Sequence, residues 1–225
     1  MSEAFRGGFD EKTKAVAGEM NALLTSALRT ENSSEVVGAI AESYAAWFPP
    51  PEAMDALREA AARLPPSPGR RTVWEAIARG SFMGDQGASL VQQFRQASTS
   101  DVRDDIAAGI ARAGNSMGGR PGGTPEEVAR KTEEARARFK LVYEGTSDAA
   151  VRRTLARAAL YGMGCVGAPI QTDDQKADAG RFFREVAALE PDMVQRERLE
   201  RIAADFETRG TGAYADFDRI LSGKE

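Results

Sequence analysis

The sequence contains no histidine. A Ser-His-Asp or Cys-His triad therefore cannot be built. Zinc sites made of Cys and His are excluded as well, because a single cysteine, Cys165, is all that remains of that ligand set. One cysteine also rules out an intramolecular disulfide, which fits a reducing compartment. General acid–base work could fall only to carboxylates, Lys, Tyr or Cys165. Aromatic residues are scarce, and no run of alternating β-branched residues marks a strand. No apolar run approaches the ~20 residues that span a bilayer. The N-terminal stretch MSEAFRGGFDEK has no apolar core of the kind a signal peptide carries. The expectation is a soluble, cytoplasmic protein.

An excess of positive charge is also missing. The net charge is −4 and the pI near 5.2, which argues against nucleic acid as the main partner. The charge is unevenly placed. Residues 1–64 carry a net −4, 65–113 a net +1, 114–170 a net +3 and 171–225 a net −4. A mildly basic middle thus lies between acidic ends.

Ala, Leu, Arg and Glu dominate what is present, and these are strong helix formers. Turn signals cut the chain into helix-sized pieces at 9–30, 33–48, 51–64, 69–82, 87–98, 100–114, 124–145, 147–162, 175–189, 191–210 and 213–223. About ten or eleven helices and no sheet are expected. Thr124-Pro125-Glu126-Glu127 combines a cap, a first-turn proline and acidic residues, a strong start signal. The stretch NSMGGRPGGTP (115–125) is the longest loop candidate.

The helices come in pairs, and a pattern recurs in the second member of each. Val36-x-x-x-Ile40-Ala41 is followed by Val73-x-x-x-Ile77-Ala78, Val102-x-x-x-Ile106-Ala107 and Val151-x-x-x-Leu155-Ala156. The Val and the Ile or Leu lie one turn apart on one face, and the small Ala lets a neighbouring helix approach. No pair buries its own apolar face, so the pairs must stack.

This pattern resembles the HEAT family of helical repeats. The residues that carry the likeness are Ser100-Asp101-Val102-Arg103 with Ile106-Ala107, and Ser147-Asp148-Ala149-Ala150-Val151-Arg152 with Leu155-Ala156. The other two copies depart from it, with Val37 and Trp74 at the arginine position. The resemblance implies an all-α, right-handed α-solenoid. It would form one domain over 1–225, with helix pairs at 10–165 and an irregular helical cap at 171–225. It also implies that Arg103 and Arg152 meet an Asp of a neighbouring repeat, with Asp101 and Asp148 as candidates.

Candidate chemistry is sparse. GMGCVGAP (162–169) spells the letters of a dinucleotide-binding loop. That loop needs a strand before it and a helix opening after it. Here a helical segment precedes it and Ala168-Pro169 follows, so the glycines read as a helix end. Cys165, between glycines, reads as accessible but has no base to activate it. The loop 114–123 lacks the Lys-Ser/Thr of a phosphate loop. The pairs Asp104-Asp105, Glu126-Glu127, Glu133-Glu134 and Asp173-Asp174 diverge by about 100° on a helix and do not converge on one metal or proton. Asp173, Asp174 and Asp178 fit the dipole of a helix start. Arg130, Lys131, Arg136, Arg138 and Lys140, interleaved with Glu133 and Glu134, read as a solvated ion-paired face. No cofactor is expected.

Arg152, Arg153 and Arg157 are less balanced by acids, and Tyr161 follows one turn on. With Trp74 and Arg103 they form the candidate partner-binding stripe, since Arg, Trp and Tyr most often anchor interfaces. The resulting expectation is a non-catalytic scaffold or adaptor that binds another protein on its concave face. The alternatives are a HEAT-like glycosylase acting on alkylated DNA bases, or a subunit that assembles with itself. Reversing Arg152 and Arg157 to Glu is expected to abolish partner binding without unfolding the chain.

Overall fold

The computed structural model describes residues 11–47, 49–85, 87–117, 124–166 and 169–224. Within these the chain is all-helical, with no strand. The helices are α1 (Glu11–Thr30), α2 (Ser34–Trp47), α3 (Pro51–Arg63), α4 (Pro68–Asp85), α5 (Ala88–Gln96), α6 (Ser100–Met117), α7 (Pro125–Glu144), α8 (Ala149–Tyr161), α9 (Asp173–Leu189), α10 (Met193–Arg209) and α11 (Tyr214–Ser222). A 3₁₀ turn, Gly210–Ala213, joins the last two.

Local chemistry sets many of these boundaries. Thr124 caps α7 in a reciprocal capping box with Glu127, and Pro125 occupies the first turn. Thr172 and Gln175 do the same for α9, starting it two residues before the expected 175. Asp148 caps α8 by accepting from Ala150 N and Val151 N.

The even-numbered helices α2 to α8 form one row: α2 packs on α4, α4 on α6 and α6 on α8. Odd-numbered helices lie alongside, with α1 on α3 and α7 bridging α5 and α9. Contacts within the row advance in step. Arg70 meets Asp105, Trp74 lies against Gly109, and Arg112 reaches Glu75. Asp104 meets Ser147, and Gly114 lies against Gly162. Helices α4, α6 and α8 therefore run parallel. One continuous apolar cluster extends from Leu28 to Leu221.

The recurring motif marks the buried side of the row, with one correction. Val73, Ile77 and Ala78 are buried, as are Val151, Leu155 and Ala156. Ile106 and Ala107 are buried with Val102 at the margin. In α2, however, Val36 is 46% exposed and Val37 is fully buried with Ala41. That copy is one residue out of register, because Ser34 and Gly38 must abut Gly69. Glycine enables the closest approaches. A Cβ on Gly109 would lie 2.6 Å from the Trp74 carbonyl, and one on Gly162 would collide with Gly114 O.

An aromatic cluster forms at the C-terminal end. Phe182, Phe183, Phe206 and Phe217 are buried in mutual ring contact, and Tyr161 and Tyr214 join them at the edge. Through these rings α11 packs against α8 as well as α10.

Candidate interaction groove

Charged groups near the starts of the row helices tie them together. Asp105 is almost fully buried and accepts from Arg70 Nε at 2.6 Å and Arg71 Nε at 2.8 Å. Arg71 Nη2 also reaches the α8 cap, Asp148, at 3.3 Å. Asp104 turns the other way and accepts from Ser147 N at 2.7 Å and Ser147 Oγ at 2.5 Å. The two adjacent carboxylates thus serve different neighbours.

Arg152 belongs to this framework. It is 6% exposed and donates to Thr146 O at 2.8 Å, Ser147 O at 3.0 Å and the buried Glu190 carboxylate at 3.1 Å. Tyr143 Oη donates to the same carboxylate at 2.5 Å. Burial, reinforced by Glu190, pushes the Tyr143 phenol far up and keeps it a donor. The implied Asp partner of Arg152 is therefore a Glu at the end of α9. Asp148 does cross between helices, but to Arg71. Asp101 is exposed, and Arg103 is partly buried with its Nε unpartnered among the described residues.

Further expectations need correction. Cys165 is fully buried rather than accessible, and burial pushes its thiol up to about 12. Its carbonyl accepts from Arg136 Nε at 2.7 Å. Arg136 is itself buried, not part of a solvated face. It donates to Asp178 at 2.5 Å and lies 5.1 Å from the Phe182 ring centre. Asp178 is therefore an ion-pair partner rather than a dipole residue, and Arg136 holds it below the usual carboxylate range. GMGCVGAP begins where α8 ends, with Gly164 at φ 70°, and its Gly167 and Ala168 lie outside the described residues. Most of the loop 114–123 also lies outside them.

The six stripe residues divide. Trp74 is 7% exposed with its indole N–H unpartnered among the described residues, so with Arg152 it belongs to the interior. Arg103 sits between the two classes. Arg153, Arg157 and Tyr161, four residues apart on α8, reach the surface together. Arg153 and Arg157 border an open groove between α8 and α11 of about 540 Å³, walled also by Asp218, Leu221 and Lys224. Arg157 is fixed by Asp218 at 3.2 Å and by the Tyr161 ring at 5.7 Å. Burial pushes the Tyr161 phenol up, and Asp218 adds to the shift. No ion-pair partner of Arg153 or Lys224 lies among the described residues. The α11 contribution is not legible in the sequence; it follows from Phe217 docking on Tyr161.

Among the described residues no cluster of three or more His, Cys, Asp or Glu side chains could hold a metal ion. Nor is any helix there long and apolar enough to cross a membrane. No family model, curated protein or solved structure matches the chain.

Proposed function

We propose that this protein is a HEAT-like helical-repeat scaffold, an α-solenoid without catalytic activity that binds another protein along its even-numbered row. The observation that carries the reading is the exposed Arg153–Arg157–Tyr161 stripe on α8, the last helix of that row, beside side chains otherwise committed to packing. The resemblance to HEAT repeats supports it by assigning second helices to the concave, ligand-binding face. Fold alone does not specify function, so the stripe is the feature to test.

The test is capture of partners from native lysate by the intact chain beside an Arg153→Glu/Arg157→Glu variant, read by mass spectrometry. Arg152 is unsuitable for this purpose, since reversing a buried charge beside Glu190 probes folding rather than recognition. The expected result is a partner retained by the unmodified chain and lost by the variant, with identical circular dichroism. Equal capture by both proteins would remove the stripe from the function.

A further inference from the structure

We propose that the α8–α11 groove receives an acidic, extended segment of the partner protein. This rests on the scaffold reading for the existence of a partner and adds the partner's chemistry.

The first reason is charge. Among the described residues Arg153, Arg157 and Lys224 face a single acid, Asp218, so this groove is positive there in a chain whose net charge is −4. Elsewhere on the C-terminal helices several exposed arginines are ion-paired: Arg181 with Asp178, Arg184 with Glu207, and Arg209 and Arg219 with Asp216. The second reason is preorganisation. Arg157 is held between Asp218 and the Tyr161 ring, so little side-chain freedom remains to be lost when an anion binds. A guanidinium carries five N–H donors, more than one carboxylate can use. The third is shape. The groove is open rather than enclosed and has Leu221 in its wall, which suits a passing chain with an apolar side chain between its acids. Nucleic acid fits less well. Its affinity comes from many phosphate contacts, and the acidic remainder of this chain repels a polyanion.

The experiment is fluorescence anisotropy of a fluorescein-labelled oligoglutamate peptide carrying a single leucine, titrated with the full chain at low and moderate salt. Binding is expected, weakening as salt rises. Arg153→Glu and Lys224→Glu should each weaken it about tenfold, equivalent to ~1.4 kcal/mol. Neither side chain has an ion-pair partner among the described residues, so both variants should keep the parent circular dichroism. Arg95→Glu on α5 makes the same charge change on an exposed site away from the groove and should alter binding less than twofold, i.e. by under ~0.4 kcal/mol.

No binding at low salt would overturn the inference, as would equal losses in Arg95→Glu and Arg153→Glu. Tighter binding of a single-stranded oligonucleotide of equal charge would overturn it too. The two proposals fail separately. A lysate partner lost by the stripe variant, together with a silent peptide titration, removes the acidic segment and keeps the scaffold. Peptide binding at the groove without stripe-dependent capture keeps the anion-binding groove and removes the stripe from partner binding.

Discussion

Arg152 and Arg153 are neighbours in sequence with opposite fates. Adjacent positions on a helix point about 100° apart, so one arginine enters the interface with α9 while the other stays in water. Arg152 is bound to Glu190, which is 1% exposed. Truncating it to Ala leaves a buried carboxylate without its cation, a loss of about 3–5 kcal/mol. Urea unfolding should show a clearly lowered midpoint for Arg152→Ala and almost none for Arg153→Ala. Equal midpoints would mean that Glu190 is solvated in the folded protein. The sequence offered both arginines as surface candidates, because charge balance along the chain carries no information about which face is covered.

At the scale of the element, helix starts are the best-written features of this chain. The Thr124 cap is plain in the sequence because Pro125 and two glutamates reinforce it. The Thr172 box was obscured by Asp173 and Asp174, which read equally well as a preceding loop. Replacing Thr172 by Ala removes the acceptor for Gln175 N and should cost about 1 kcal/mol, measurable as a lowered urea midpoint. An unchanged midpoint would show that the Gln175 side chain alone holds this end. Helix α11 is the opposite case. Its amphipathic sequence predicted a helix, but the register that sets Asp218 against Arg157 depends on how Phe217 seats among Tyr161, Phe183 and Phe206.

For the whole molecule, the missing histidine has a thermodynamic consequence. No side chain with an ordinary pKa titrates between about pH 5 and 8, so stability should be nearly flat there. Asp178 is held low by its hydrogen bond from Arg136. Burial opposes the ionisation of Asp148, but hydrogen bonds from Ala150 N and Val151 N and the charge of Arg71 outweigh it. Both folded pKa values lie below the unfolded value of about 3.9, so the unfolded chain binds more protons as acid is added. The stability they contribute is present above about pH 4 and lost as pH falls through the folded values. At the alkaline end the sign reverses for Cys165. Its folded thiol is pushed up to about 12 against an unfolded value of about 8.5, so stability declines as pH rises through that interval. Urea midpoints between pH 3 and 10 should trace a plateau with a fall at each end. A step between pH 5 and 8 would contradict this account.

Composition, caps and helical periodicity determined the all-helical class and most element boundaries, because these depend on contacts within a few residues. The four-residue spacing of Arg153, Arg157 and Tyr161 was likewise readable as one helix face. Tertiary structure alone decided that Arg136, Arg152 and Trp74 lie inside, that Asp178 pairs with Arg136, and that Asp218 and Lys224 complete the groove. Burial and ion pairing depend on which helices meet, and at Gly109 and Gly162 that meeting depends on the absence of a single side-chain carbon.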